Sequence, residues 1–311
     1  MRQLTILAVA AGLAASAGAA HAAQTSSYAF TTLDNPGDPT FNQLLGINNN
    51  GVISGYFGMG TAGHPNQAYE IAPPYTKYVP ANAPGSVQTQ ATGINAAGNI
   101  TGFWSDTNTG TDANFGFIRW NVKGAQTFID VNDPLVASSP PVTQVLGMNK
   151  TGIAAGFYND ANNNPQGFTY NVMTGDYTPV IVPNAVGDAA TGINSNNLLC
   201  GFWTDGGGTT HGFTKALVGS PITFTVPGSG NTQFLGVNSR GDAVGFYEDS
   251  SQIDHGLIYN PATGNWTAVN DPEGVQGTVL NGINDKGEMV GFFTDAAGNV
   301  HGMIVTGGTM P

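Results

Sequence analysis

The chain has 311 residues, enough for one large domain or two ordinary ones, and carries 8 Lys and Arg against 20 Asp and Glu, a formal net charge of −12. Only 9% of it is charged, against ~25% in ordinary domains, so no basic patch for nucleic acid or anionic lipid is available, while 40% hydrophobic residues argue against disorder. The single cysteine, Cys200 in the apolar run "NLLCGF", excludes an intramolecular disulfide and reads as a buried free thiol.

Residues 1–22 read as a secretory signal peptide: Arg2, then apolar and small residues, then Ala20-His21-Ala22, with cleavage before Ala23. The remainder, 23–311, is expected to be one domain, secreted or periplasmic, with no later run of ~18 apolar residues to cross a membrane. Its first element is "YAFTTLDNPG" (Tyr28 to Gly37), a lone strand rich in Thr and aromatics.

A phrase then occurs six times. Gly46 begins "GINNNGVISGYF", Gly93 "GINAAGNITGFWSD", Gly147 "GMNKTGIAAGFYND", Gly192 "GINSNNLLCGFWTD", Gly236 "GVNSRGDAVGFYED" and Gly282 "GINDKGEMVGFFTD". From 46 through 93, 147, 192 and 236 to 282 the steps are 47, 54, 45, 44 and 46 residues. Each unit holds four strand candidates, as in "TQVLGMN", "GIAAGFY", "GFTYN" and "YTPVIVPNAVG", bounded by Gly, Pro, Asn and Asp. A period of ~40–50 residues with four short strands predicts a propeller blade. The fold expected is therefore all-β, a six-bladed β-propeller. The chain ends after a third-type strand, "HGMIV", so the N-terminal strand should complete the last blade and close the ring.

The asparagines opening each turn, Asn48, Asn95, Asn149, Asn194, Asn238 and Asn284, are followed three residues on by Gly51, Gly98, Gly152, Asn197, Gly241 and Gly287. A tight hairpin on a type I turn needs a left-handed residue at its end, and Gly or Asn supplies it. The leading Asn can bond its own turn's N–H groups, so the six asparagines are expected to be turn chemistry, not a binding ring.

The pattern "FTTLDNPG…GIN..G.I.G.F.D…HGF" resembles the HAF-type extracellular repeats of bacterial secreted proteins, named for a His-Ala-Phe step. Here that step reads His-Gly-Phe at His211, His-Gly-Leu at His255 and His-Gly-Met at His301. It drifts to "QAY" at Gln67, "FGF" at Phe115 and "QGF" at Gln166. The resemblance spans almost the whole chain after the leader. It implies architecture and export, and carries no catalytic residue over.

Candidate ligand-binding residues lie between second and third strands. Three blades read Asp205-x5-His211, Asp249-x5-His255 and Asp295-x5-His301. Residues six apart can meet across a short hairpin, where an Asp–His pair could bind metal, orient a base or bond a sugar hydroxyl. The plainer reading is that Asp caps the turn and His closes the strand pair. Two further loops have oxygen ligands at alternate positions, as in Ca²⁺ loops: Asp106, Asn108 and Asp112, and Asp160, Asn162 and Asn164. Both lack the bidentate Glu of an EF-hand and its helices, so calcium is a weak expectation and no other cofactor is implied. Paired aromatics such as Phe202-Trp203 suit sugar stacking but are expected to pack between blades. No H-E-x-x-H, C-x-x-C or G-x-S-x-G motif is present.

The function expected is a non-catalytic binding or surface-interaction module, with carbohydrate or an envelope component as partner. The alternative is a lyase or hydrolase acting on polysaccharide at one site on the loop face. Oligomeric state is not legible in the sequence.

Overall fold

The computed structural model describes residues 28–58, 65–109, 112–122, 125–308 and 311. The leader therefore lies outside the described residues. Among the described residues there are 24 strands in six four-stranded antiparallel sheets arranged as a six-bladed β-propeller, and no helix long and apolar enough to cross a membrane.

Blade 1 comprises β2 (Asn42–Ile47), β3 (Ile53–Phe57), β4 (Gln67–Ile71) and β5 (Tyr78–Pro80). Blade 2 comprises β6 (Gln88–Ile94), β7 (Ile100–Ser105), β8 (Phe115–Val122) and β9 (Ala125–Asp130). Blade 3 has β10 (Thr143–Met148), β11 (Ile153–Asn159), β12 (Pro165–Asn171) and β13 (Asp176–Pro179). Blade 4 has β14 (Gly187–Ile193), β15 (Leu198–Thr204), β16 (Thr210–Ala216) and β17 (Ile222–Phe224). Blade 5 has β18 (Thr232–Val237), β19 (Ala243–Glu248), β20 (Asp254–Tyr259) and β21 (Trp266–Ala268). Blade 6 has β22 (Gly277–Ile283), β23 (Met289–Thr294) and β24 (Val300–Gly307), and β1 (Tyr28–Thr32) pairs with β24 as its outer strand. That pairing runs from Tyr28 opposite Gly307 to Thr32 opposite Met303, so the N-terminal strand closes the ring as expected.

The fourth strands are shorter than the sequence suggests. Of "YTPVIVPNAVG" only Tyr177, Thr178 and Pro179 join the ladder of β12. Val180 and Val182 then leave it to fill an apolar cluster between blades, with Val180 N–H still bonding the Gly167 carbonyl at 2.8 Å. Burial of two Val side chains outweighs continuation of an exposed edge ladder.

Every first strand carries a β-bulge one residue before its phrase glycine, for instance between Leu44 and Gly46. The bulge brings the phrase glycines of neighbouring blades together. A Cβ on Gly46 would lie 2.9 Å from the Gly93 Cα, one on Gly147 3.1 Å from Gly192, and one on Gly282 3.2 Å from Gly46. The glycines thus form the narrow waist of the ring, a reason for glycine that the turn reading does not contain. Side chains at the bulges staple alternate junctions: Thr92 Oγ1 donates to Val145 O (2.6 Å), Thr191 Oγ1 to Phe234 O (2.7 Å) and Asn281 Nδ2 to Leu44 O (3.0 Å).

The six residues ending the turns, from Gly51 to Gly287 and including Asn197, all have positive φ, between 61° and 94°. Each leading Asn caps its own turn through Oδ1, as expected. Asn95 Oδ1, for example, accepts N–H from Ala97 (3.0 Å) and Asn99 (3.1 Å). Its amide does more. Asn48 Nδ2 donates to Asn95 O (3.0 Å), Asn95 to Asn149 O (3.1 Å), Asn194 to Asn238 O (2.7 Å) and Asn284 to Asn48 O (3.1 Å). One side chain therefore both forms a turn and links it to the next blade.

Candidate functional site

Connections between second and third strands share a face with those joining one blade to the next. Val186 N–H bonds Thr204 O at 2.8 Å and Val300 N–H bonds Thr40 O at 2.9 Å, tying the two sets together. This loop face, opposite the Asn turns, carries the Asp–His pairs.

Antiparallel register sets His211 directly across from Trp203, His255 across from Tyr247 and His301 across from Phe293. Such cross-strand neighbours share one side of the sheet. The imidazoles stack on them with centroids 4.4, 5.1 and 5.1 Å apart and planes inclined by 27°, 26° and 29°. Each Nε2 faces the Oδ2 of its hairpin Asp: 3.3 Å to Asp205, 3.1 Å to Asp249 and 3.4 Å to Asp295. The other carboxylate oxygen caps the turn. Asp205 Oδ1 accepts N–H from Gly207 and Thr209 (2.8 and 2.9 Å), Asp249 Oδ1 from Ser251 and Ile253 (2.8 and 3.0 Å), and Asp295 Oδ1 from Ala297 and Asn299 (both 2.8 Å).

The pairs expected from spacing are therefore formed, and capping and His contact coexist. The Thr209 backbone N–H, with His211, holds Asp205 below the usual carboxylate range. Burial pushes Asp249 up, but the Ile253 N–H and His255 overcome it and the carboxyl is lowered. Asp295 falls to about 2, chiefly through the Asn299 side chain. Burial opposes charge on His301, yet Asp34 and Asp295, one at each ring nitrogen, raise it above the ordinary imidazole value. Asp34 comes from the N-terminal segment, its Oδ2 2.7 Å from His301 Nδ1. His211 Nδ1 meets Thr225 Oγ1 at 2.5 Å. The imidazoles remain a fifth to a quarter exposed.

The proposed calcium residues sort differently. Asp160 is a fourth copy of the hairpin Asp. Its Oδ1 accepts N–H from Asn162 (2.8 Å) and Asn164 (2.9 Å), and Gln166, standing where His stands elsewhere, points Nε2 at its Oδ2 (3.4 Å). Sequence spacing split this one constellation in two because Gln replaces His. In blade 2, Asp112 Oδ1 accepts from Thr107 Oγ1 (2.7 Å) and from Thr109 N–H and Oγ1 (both 2.8 Å), and Oδ2 from Gln88 Nε2 (2.8 Å). Asp106 is exposed and Asn108 half-buried. Among the described residues no group of three or more His, Cys, Asp or Glu is placed to hold a metal ion.

Two charged features escaped sequence reasoning. Asp188 is buried between blades 3 and 4, its Oδ1 accepting the Gly167 N–H at 2.9 Å, and burial raises its pKa to about 7 against the backbone bonds of Gly167 and Val182. Arg119 is 2% exposed and meets Glu70 at 2.5 Å across the junction of blades 1 and 2. A lone Arg or Asp in a strand carries no sequence signal of its partner on another blade. Cys200 is buried as expected, and burial pushes its thiol to about 12.

No protein-family model and no curated protein matches the chain. In fold it is similar to AofleA from Arthrobotrys oligospora, at 12% identity over 90% of this chain and 86% of that one, with a TM-score of 0.56. Putative TolB from Agrobacterium tumefaciens is similar at 12% identity over 88% and 92% of the two chains, TM-score 0.55. SapL1 lectin, solved in complex with alpha methyl fucoside, is similar at 12% identity over 88% and 97%, TM-score 0.52. At these identities the likeness is one of fold alone.

Proposed function

We propose that the chain is an exported, non-catalytic binding propeller whose loop face takes polyhydroxy ligands, carbohydrate above all, at repeated Asp–His–aromatic stations. The observation that carries this reading is the repetition itself. Three consecutive blades present the same partly exposed imidazole, stacked on Trp203, Tyr247 or Phe293 and backed by an anionic Asp. Each station presents a partly exposed carboxylate beside a partly exposed imidazole to a hydroxylated ligand, and three copies suit multivalent attachment better than one chemical step. Export rests on the leader at 1–22 and on the resemblance to HAF-type repeats. The lectin among the fold neighbours is compatible with the reading and adds only architecture.

A polysaccharide-acting enzyme would need one distinct acid–base group. Asp188 is displaced far enough, but its oxygens are taken up by backbone N–H groups between two blades. The binding reading therefore leads.

The test is a panel of neutral and acidic saccharides against the chain from Ala23 and its His211→Ala/His255→Ala/His301→Ala variant. At least a tenfold loss of affinity, about 1.4 kcal/mol, with an unfolding temperature within a few degrees of the parent, is expected. A variant that loses stability while keeping its saccharide, or a parent that takes none of the panel, would sink the proposal.

A further inference from the structure

A second site lies on the opposite face. One position in each third strand, Arg119 in blade 2, faces the preceding blade. Its counterparts by register are Tyr170, Lys215, Tyr259, Val305 and Ile71, and those of its partner Glu70 are Ile118, Thr169, Thr214, Ile258 and Ile304. At three other junctions the two positions share an apolar cluster: Ile118 with Tyr170, Ile258 with Val305, and Ile304 with Ile71. Those three junctions close without charge. A buried ion pair contributes little over an apolar pair of similar size, so Glu70–Arg119 is not explained by stability.

A cleft of about 430 Å³ opens over this pair. That volume is in the range of small-molecule sites, ~300–1,000 Å³. Val52, Ile94 and Pro73 line it with apolar surface, and Lys77 stands at its exposed rim. Arg119 spends one hydrogen bond on Glu70, and its Nε is buried without a partner. Two cations against one anion leave the cleft locally positive in a chain of net charge −12.

We propose that this cleft binds a small organic carboxylate with an apolar body. The carboxylate sits by Lys77 and the guanidinium, whose charge Glu70 offsets in the empty cleft, and the body lies on Val52, Ile94 and Pro73. Guanidinium and ammonium donors favour an anionic acceptor, and water exclusion strengthens the attraction. The proposal is independent of the loop-face reading.

The probes are 2-naphthoate, 2-naphthamide and 2-naphthylmethylamine, followed by saturation-transfer NMR and calorimetry on the chain from Ala23. Naphthoate is expected to bind at least tenfold tighter than the amide, more weakly at high salt, and the amine not at all. The double variant Glu70→Ile/Arg119→Val, which reproduces the Ile258–Val305 pair, should unfold no earlier than the parent and lose naphthoate at least tenfold. Lys77→Ala, an exposed change without risk to the fold, should weaken it about threefold. Should the double variant not fold, Lys77→Ala and the carboxylate-to-amide ratio decide. The idea is overturned if no probe binds, if amide equals carboxylate, if naphthoate is indifferent to these changes, or if the cleft prefers a neutral saccharide.

Discussion

On the turn face Asn95, and on the loop face Asp249, accept the same two backbone N–H groups, two and four residues ahead, yet their remaining polar atoms go to opposite places. Asn95 Nδ2 reaches across the junction to Asn149 O at 3.1 Å, whereas Asp249 Oδ2 stays in its own blade and faces His255 at 3.1 Å. Both side chains make one kind of Asx turn. An amide keeps a donor to spare and can join blades, while a carboxylate has only acceptors and must be met by a donor. The difference explains why the turns on one face tie neighbouring blades together while the hairpins of the other retain half-open polar stations. At these repeated turns the Asn amide joins blades, while the hairpin Asp keeps an oxygen where something else can approach.

Asn95→Asp should be the most damaging of these changes. It keeps the turn cap but removes the donor to Asn149 O and sets a carboxylate against that carbonyl at a site only 6% exposed. A loss of about 2–4 kcal/mol near neutral pH is expected in urea denaturation, relieved at low pH where the protonated acid donates again. Asp249→Asn, the converse change on the half-exposed loop face, should cost at most about 1 kcal/mol. Equal losses would show that the two faces do not divide the work as described.

Asp188 sharpens the same contrast because it is a carboxylate doing an amide's task. Asn82, Asn132 and Asn270 accept the N–H of Ala68, Gly116 and Gly256 at 2.8, 3.1 and 3.1 Å, as Asp188 does that of Gly167. Burial raises the folded pKa to about 7 from an ordinary value of 3.8, so between the two the native state holds a proton the unfolded chain has lost. Stability therefore falls as pH rises through that window. Asp188→Asn should remove the slope, adding on the order of 4 kcal/mol near pH 8 and almost nothing near pH 3.5. Parallel pH profiles for variant and parent would contradict this account.

Local chemistry was legible in the sequence and partners across blades were not. The 44- to 54-residue steps, the strand alternation and the left-handed glycines follow from residues close in the chain, and so did the six blades, the closing strand and the Asp–His hairpins. The Gly46–Gly93 approach, the Asn48 amide on Asn95 O and the Glu70–Arg119 pair join residues 47 to 49 apart, and their geometry depends on the bulges and the curvature of the finished ring. Asp160 was misgrouped for a related reason. Its hairpin geometry matches Asp205, but Gln166 hides the likeness in the letters.

Asn197 is where the local and the cross-blade accounts make opposite forecasts, and the effect there is the smallest. As a turn residue with φ of 61° it should be improved by glycine, by about 0.5–1 kcal/mol. Yet its Oδ1 accepts the Asn149 amide at 2.7 Å, in place of the carbonyl used at four other junctions. Asn197→Gly removes that acceptor, and the Asn194 carbonyl occupies the position that Asn95, Asn149, Asn238 and Asn48 carbonyls fill elsewhere. The Asn149 amide should turn to it, so the turn gain survives and the variant gains about 0.5 kcal/mol. A loss above about 1 kcal/mol would mean that the amide finds no second partner, and that at this junction the side chain of Asn197 is the link between blades 3 and 4.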